Sequence, residues 1–481
     1  MEFNITHFGN KMKRKGIHLV PDNWDDFGYK NTYYMYYIDA ENIEYDLGII
    51  KFGEYGLESG RTSLPAKFKG VEENQFSLGQ SAEYYQDIIN LGSNLSIEIF
   101  KALNDIAYSE EIFERAIKEE VTKKSLLRDV YENTVIEQFR RIANGGDFLE
   151  SYSFNYKILE SLSKNNTFNF EVLPASLPPT NIHAIIGTNG SGKTSALKGI
   201  LAKYLEGNSE MSFANAIYVS FSVFDNLDLD AEFSYIGIRN PDATNKSLSD
   251  LSYEFKESIK NLIRRKQISK LLEILPILNA DLNFASYAWE TIIQEHMEMQ
   301  SITQNINKTL NELVEIFGFL SSGHKIVLLT TAKLVDLIAE KTLIIIDEPE
   351  THLHPPLLSA FIRAISDLII RENAVAILAT HSPVVLQEIP KSCVSILRRN
   401  GDYAQVEAPR YETFGENIGV LTEEVFGLEM TDTGFHRLLK EAVNENPSYE
   451  DILKKFNNQL SLEAKSMVRA YINNCNGDIN V

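Results

Sequence analysis

Gly187-Thr-Asn-Gly-Ser-Gly-Lys-Thr194 decides the fold of this 481-residue chain. The run Ile182-His-Ala-Ile-Ile186 before it reads as a short buried strand, and Ala196-Leu-Lys-Gly-Ile-Leu201 after it reads as a helix. The stretch fits G-x-x-x-x-G-K-[ST] in full. Its glycines let the backbone curl so that successive N–H groups point inward at phosphate oxygens. The helix starting there adds positive potential at its N-terminus. Gly187, Thr188, Asn189, Gly190, Ser191, Gly192, Lys193, Thr194 and Ser195 are thus predicted to hold the phosphates of ATP. Lys193 is expected to reach the β- and γ-phosphates, and the Thr194 hydroxyl to ligate Mg²⁺.

Leu343-Ile-Ile-Ile-Asp347-Glu348-Pro349 is an apolar strand ending in two acids. A buried strand carries acids only at its end, where they meet water or metal. Asp347 is the expected metal partner, and Glu348 the expected general base for an attacking water. His381 follows another apolar strand, Ala374-Val-Ala-Ile-Leu-Ala-Thr380. The carboxyl end of a parallel strand is where ligands bind, which suits a γ-phosphate sensor.

Leu320-Ser-Ser-Gly-His324 precedes a long helical run. Ser321 and Gly323 there offer a hydroxyl and free N–H groups at a helix start. With the other motifs, this resembles the signature of ABC-type ATPases. That resemblance implies two heads closing face to face, each signature meeting the ATP held by the other. The family form has two glycines and ends in Gln, whereas Ser322 and His324 stand at two of those positions here.

Glu348-Pro-Glu-Thr-His352-Leu-His354-Pro355 looks like the RecF, Rad50-like and OLD branch of that family, and not the transporter branch. About 125 residues separate phosphate loop and signature, too few for a long coiled-coil arm. No Gln follows the strand at 215–222, where Ser222 and Asp225 occupy the expected stretch. The 100 residues after His381 (481 − 381) contain no D-x-D, so a nuclease of the Toprim kind is not expected among them. Phe221-Ser-Val-Phe-Asp225, Tyr235-Ile-Gly-Ile-Arg239, Thr380-His-Ser-Pro383 and Phe414-Gly-Glu-Asn417 resemble the ATPase subunit of Septu anti-phage systems and retron-linked relatives. The resemblance implies a separate HNH nuclease as partner, restrained by ATP. A RecF-like repair ATPase and an ATP-sensing switch with negligible turnover are the competing readings.

Around these motifs, strands at 342–346 and 374–379 alternate with helices, which predicts a parallel α/β sheet. The expected division is residues 1–180 as a hairpin (32–38 and 44–52) and helices (80–145) packed on the head, 181–240 and 317–400 as the P-loop core, 241–316 as a helical insert, and 401–481 as a small helical lobe with an Asn-rich tip. A strand is also expected at 168–173. Hydrophobic residues make up 44% of the chain, which fits a globular protein. No apolar run is long enough to cross a membrane, and the start lacks a secretion signal despite its cluster of Lys11, Lys13, Arg14 and Lys15. Two cysteines without metal or disulfide spacing point to a reducing cytoplasm.

A net charge of −21 excludes a surface that is basic throughout. Any nucleic acid must meet a local patch, and Lys256, Lys260, Arg264, Arg265, Lys266 and Lys270 form the candidate. Phe414, Ile418, Leu421, Val425 and Phe426 have near-helical spacing and are a candidate docking segment for the nuclease.

Overall fold

The computed structural model describes residues 1–6, 15–158, 163–207, 212–222, 232–242, 244–298, 306–426, 434–446 and 448–477, with the backbone alone described at 295–298, 306–309, 424–426 and 474–477. Most of the amino-terminal basic cluster, Asp225, the apolar side chains at 425 and 426, and the tip at 478–481 lie outside the described residues.

Seven strands build the central sheet: β9 (Ile182–Ile186), β10 (Asn215–Ser220), β11 (Ser234–Gly237), β12 (Thr342–Asp347), β13 (Val375–Ala379), β14 (Val394–Asn400) and β15 (Tyr403–Glu407). Their order is β11-β10-β12-β13-β9-β14-β15. All neighbours are parallel except β14 and β15, which pair antiparallel at the edge. Every residue of β9, β10, β12 and β13 is buried. Strands covered on both faces need apolar residues at every position, hence the unbroken Leu343-Ile-Ile-Ile346.

The two faces pack on different partners. Ile182, Ile344, Ile346, Ala376 and Leu378 meet the helix Pro355–Arg371, the signature helix Ser322–Leu337 and the insert. Ile185, Leu343, Ile345 and Ile377 meet the helix Lys193–Leu205 and a hairpin of β7 (Tyr152–Lys157) with β8 (Thr167–Val172). Each fully buried large apolar side chain contributes about 1.5–3 kcal/mol. The insert helices, from Leu248–Arg264 to Ile306–Phe319, bury Phe255, Ile259, Leu271 and Leu275 in the first of these cores.

The amino-terminal region departs from the sequence reading. The expected hairpin is there as β3 (Thr32–Ile38) and β4 (Glu44–Glu54), with a bulge at Met35/Tyr36. It belongs to a six-stranded sheet with β1 (Phe3–Ile5), β2 (Gly16–Pro21), β5 (Lys67–Phe68) and β6 (Gln75–Gly79), in the order β5-β1-β2-β3-β4-β6. This sheet and helices between Ala82 and Ala143 share a separate core. Strands of two or three residues have no period to read, so β1 and β5 leave no sequence signal. Two boundaries also shift. β7 and β8, within the expected 1–180 unit, pack on the central sheet, and β15, within the expected helical lobe, completes it. Beyond it, helices Gly434–Glu445, Tyr449–Lys455 and Leu462–Gly477 share a small core of their own.

Among the described residues, no helix is long and apolar enough to cross a membrane.

Candidate functional site

The sheet order assembles the site. β13 lies between β9 and β12, so the phosphate loop, His381 and the Asp347–Glu348 pair leave three adjoining carboxyl ends. Open parallel sheets gather ligands at this edge.

Gly192 caps the helix Lys193–Leu205 with φ of +98°, a left-handed conformation that suits glycine. A Cβ at Gly187 would run into the carbonyl of Leu397 on β14, so that position must also be bare. Lys193 is only 6% exposed. Its ammonium donates to the carbonyls of Gly187 at 3.1 Å and Thr188 at 3.3 Å, and lies 2.6 Å from His381 Nε2. Burial lowers the Lys193 pKa, against the opposing charges of Glu348, Asp347 and Glu350. Burial, then the Lys193 charge, lowers that of His381, against Glu348. His381 is therefore neutral and accepts from Lys193, because two cations at that distance repel.

The residues fit a triphosphate and its metal. Ser191 Oγ is buried in the loop with no hydrogen-bond partner among the described residues, an orphan that an anionic oxygen satisfies. Thr194 Oγ1 donates to Asp347 Oδ1 at 3.3 Å, and Tyr218 OH reaches Asp347 Oδ2 at 3.5 Å. Hydroxyl and carboxylate oxygens are the hard donors Mg²⁺ prefers, and Thr194 and Asp347 are the residues that would hold it. Bound Mg²⁺ supplies charge neutralisation on the phosphate oxygens.

Glu348 leaves the sheet differently from Asp347. It is exposed and adopts φ of +48°, a left-handed backbone rare outside glycine. Its N–H donates to the Ala379 carbonyl at 2.9 Å. Its exposed carboxylate acts on both Lys193 and His381, which keeps it beside the site, as a general base requires. Strain of this kind collects at functional positions.

Sequence reasoning missed Glu350. Its Oε1 accepts from the His381 N–H at 2.7 Å, and its Oε2 from Thr380 Oγ1 at 2.8 Å. The turn after the acidic strand therefore holds His381 in place. Glu350 stands two residues from Glu348, but its partners follow the carboxyl end of the neighbouring strand β13, about 30 positions on, which no spacing reveals. Arg399 was also missed. With Tyr156, Ser191, Gly192, Ser195 and Leu397 it lines a pocket of about 290 Å³ beside the phosphate loop.

Ser321 caps the signature helix as expected, accepting from the His324 N–H at 3.4 Å. Both Ser321 and Ser322 are exposed, while Gly323 packs against the His352 carbonyl.

The basic run needs correcting. Arg264 and Arg265 donate to Asp129 at 2.6 and 2.8 Å, Arg265 also meets Asp336, and Lys270 donates to Glu372 at 2.6 Å. Lys266 pairs with Asp46, Lys260 with Glu257, and Lys256 donates to Asn311. Arg264 and Arg265 side chains are only 13% and 22% exposed. Arg264, Arg265 and Lys266 thus tie the insert to the amino-terminal domain, Arg265 and Lys270 also tie it to the head, and Lys256 and Lys260 bond within the insert.

In the candidate docking segment, Phe414 and Ile418 are 41% and 47% exposed, while Leu421 is buried in the core.

A family model described as "AAA domain, putative AbiEii toxin, Type IV TA system" matches residues 292–387, a span holding the signature, the acidic strand and His381. Protein ea59 of Escherichia phage lambda is similar over 518 aligned positions at 36% identity, covering 98% of this chain and 98% of that one. A solved ATP-binding cassette of an ABC transporter, in its ADP conformation, is 17% identical over 59% of this chain and 98% of its own, with a TM-score of 0.26. Part of an ABC transporter complex from Clostridium perfringens is 13% identical over 61% and 93%, with a TM-score of 0.28. Overlays this loose add nothing to the sheet order and the motifs.

Proposed function

The chain belongs to the family of the phage lambda protein ea59 and is a P-loop ATPase of the ABC/AAA type; we propose that it hydrolyses ATP as a head-to-head dimer and so controls a separate nuclease in an anti-phage complex. One observation carries the first half: Lys193, Thr194, Asp347, Glu348 and His381 converge from three adjoining strand ends.

In this reading Lys193 leaves the loop carbonyls for the β- and γ-phosphates, and Ser191 gains its missing partner. The pocket with Tyr156 and Arg399 receives the base. Glu348 takes a proton from the attacking water, and His381, held by Glu350, contacts the γ-phosphate. Ser321 and Gly323 of the second copy close the site. The nuclease half is supported by the motifs shared with Septu ATPases, and an HNH enzyme is the partner class those motifs imply.

Turnover by the purified chain against Glu348→Gln tests the first half. A fall of about 10²–10⁴-fold with ATP binding retained is expected. Equal, negligible rates would make the chain a binding switch, a reading favoured by His324 and Ser322 in the signature. Co-expression with an HNH nuclease encoded beside it tests the second half: a stable complex whose cleavage is silenced by ATP is expected, and no complex removes the nuclease.

A further inference from the structure

Asp281 sits where three parts of the chain meet. It caps the short insert helix Leu282–Ala285, its Oδ1 accepting from the Phe284 N–H at 2.9 Å. The residue is 4% exposed. Its Oδ1 lies 3.2 Å from His324 Nε2, and its Oδ2 lies 2.9 Å from His354 Nε2. His324 belongs to the signature helix, and His354 caps the helix that follows the Glu348 turn. Both carboxylate oxygens are therefore spent on joining these two elements. A buried carboxylate is stable only with such partners.

The chain of contacts reaches the exposed serine. His324 Nδ1 lies 2.9 Å from Ser321 Oγ. If Nε2 carries the ring proton and donates to Asp281, Nδ1 is left to accept from the Ser321 hydroxyl. Ser321, His324, Asp281 and His354 then form one continuous line. A second contact runs beside it, since a Cβ at Gly323 would stand 3.0 Å from the His352 carbonyl. Leu282 and Phe319, 84% and 75% exposed, lie next to this line in sequence, one after Asp281 and the other two residues before Ser321.

We infer that Asp281 is a positioning residue that fixes the signature serine Ser321 to the Glu348–His354 loop of its own chain, so that the end acting on a second copy's ATP moves with the hydrolytic strand. This rests on the head-to-head reading above. Each chain then signals the state of its own site through the serine it lends to the other.

The test uses the full chain in a Glu348→Gln background for association and in the parent for turnover. ATP-driven association is followed by sedimentation, single-chain binding by a fluorescent ATP analogue with Mg²⁺, and steady-state rates by phosphate release. Asp281→Ala and His354→Ala are expected to lower kcat and raise the association midpoint by about tenfold, with KM and analogue binding changed less than about twofold. Asp281→Asn, which keeps the helix cap, should fall between. His354 is half exposed, so its variant folds even where Asp281→Ala does not. Unchanged kcat and association in folded His354→Ala and Asp281→Asn overturn the inference alone. A Glu348→Gln chain that never associates with ATP overturns the head-to-head reading, and this one with it.

Discussion

Two sets of cations lie on this molecule, and in sequence they look alike. Lys193 stands among glycines, and Arg264 and Arg265 stand in a basic run. Their surroundings differ. Lys193 donates to two neutral carbonyls and a neutral imidazole. Arg264 and Arg265 share the carboxylate of Asp129, with Asp26 and Asp336 beside it. Glu348, Asp347 and Glu350 also act on Lys193, but none of them is its hydrogen-bond partner, so its ammonium can exchange neutral partners for phosphate. Arg264 and Arg265 are bonded directly to carboxylates, which would have to be given up first. A charge count identifies cations, but only the fold says which are spent.

Removing the common carboxylate should break that contrast most severely. Asp129→Ala leaves Lys51, Arg264 and Arg265 partly buried and short of a partner, and should cost about 3–5 kcal/mol by denaturant unfolding. Any nucleic-acid binding that appears in this variant, and is absent from the parent, would show the arginines released. Lys193→Ala should change folding little but weaken ATP binding by about 100-fold in titration calorimetry, matching a lost charge-assisted contact. A loss below about threefold would mean the loop's N–H groups do the holding.

Acid should sharpen the contrast more mildly. Burial raises the Asp129 pKa, but Arg264, Arg265 and Lys51 outweigh it and hold it at about 2 against the usual 3.8. Its folded value is the lower one, so its stabilisation is complete above about pH 4 and is lost as pH falls through about 2. The contribution is about 2 kcal/mol. The stability gap between the parent and Asp129→Asn should therefore close across that window. A gap independent of pH would remove the ion pair as its source.

Much of the nucleotide site was legible because its chemistry is local. Eight consecutive residues form the phosphate loop, and Asp347 and Glu348 end a strand of unbroken apolar residues. Contacts between distant segments were not legible. Glu350 meets Thr380 and His381, Asp281 meets His324 and His354, and Arg264 meets Asp129, each across a separation that carries no period. The basic run misled for this reason: Arg264, Arg265, Lys266 and Lys270 find carboxylates at positions 129, 336, 46 and 372. In the amino-terminal sheet only β3 and β4 were read, being long and rich in aromatic and β-branched residues.

The left-handed backbone of Glu348 sets activity against durability. A non-glycine residue held at φ of +48° gives up about 1 kcal/mol that glycine would keep. Glu348→Gly should therefore unfold at a slightly higher denaturant concentration than the parent while losing turnover. Natural selection for hydrolysis would then hold this turn below its stability optimum, and drift without that selection would relax it.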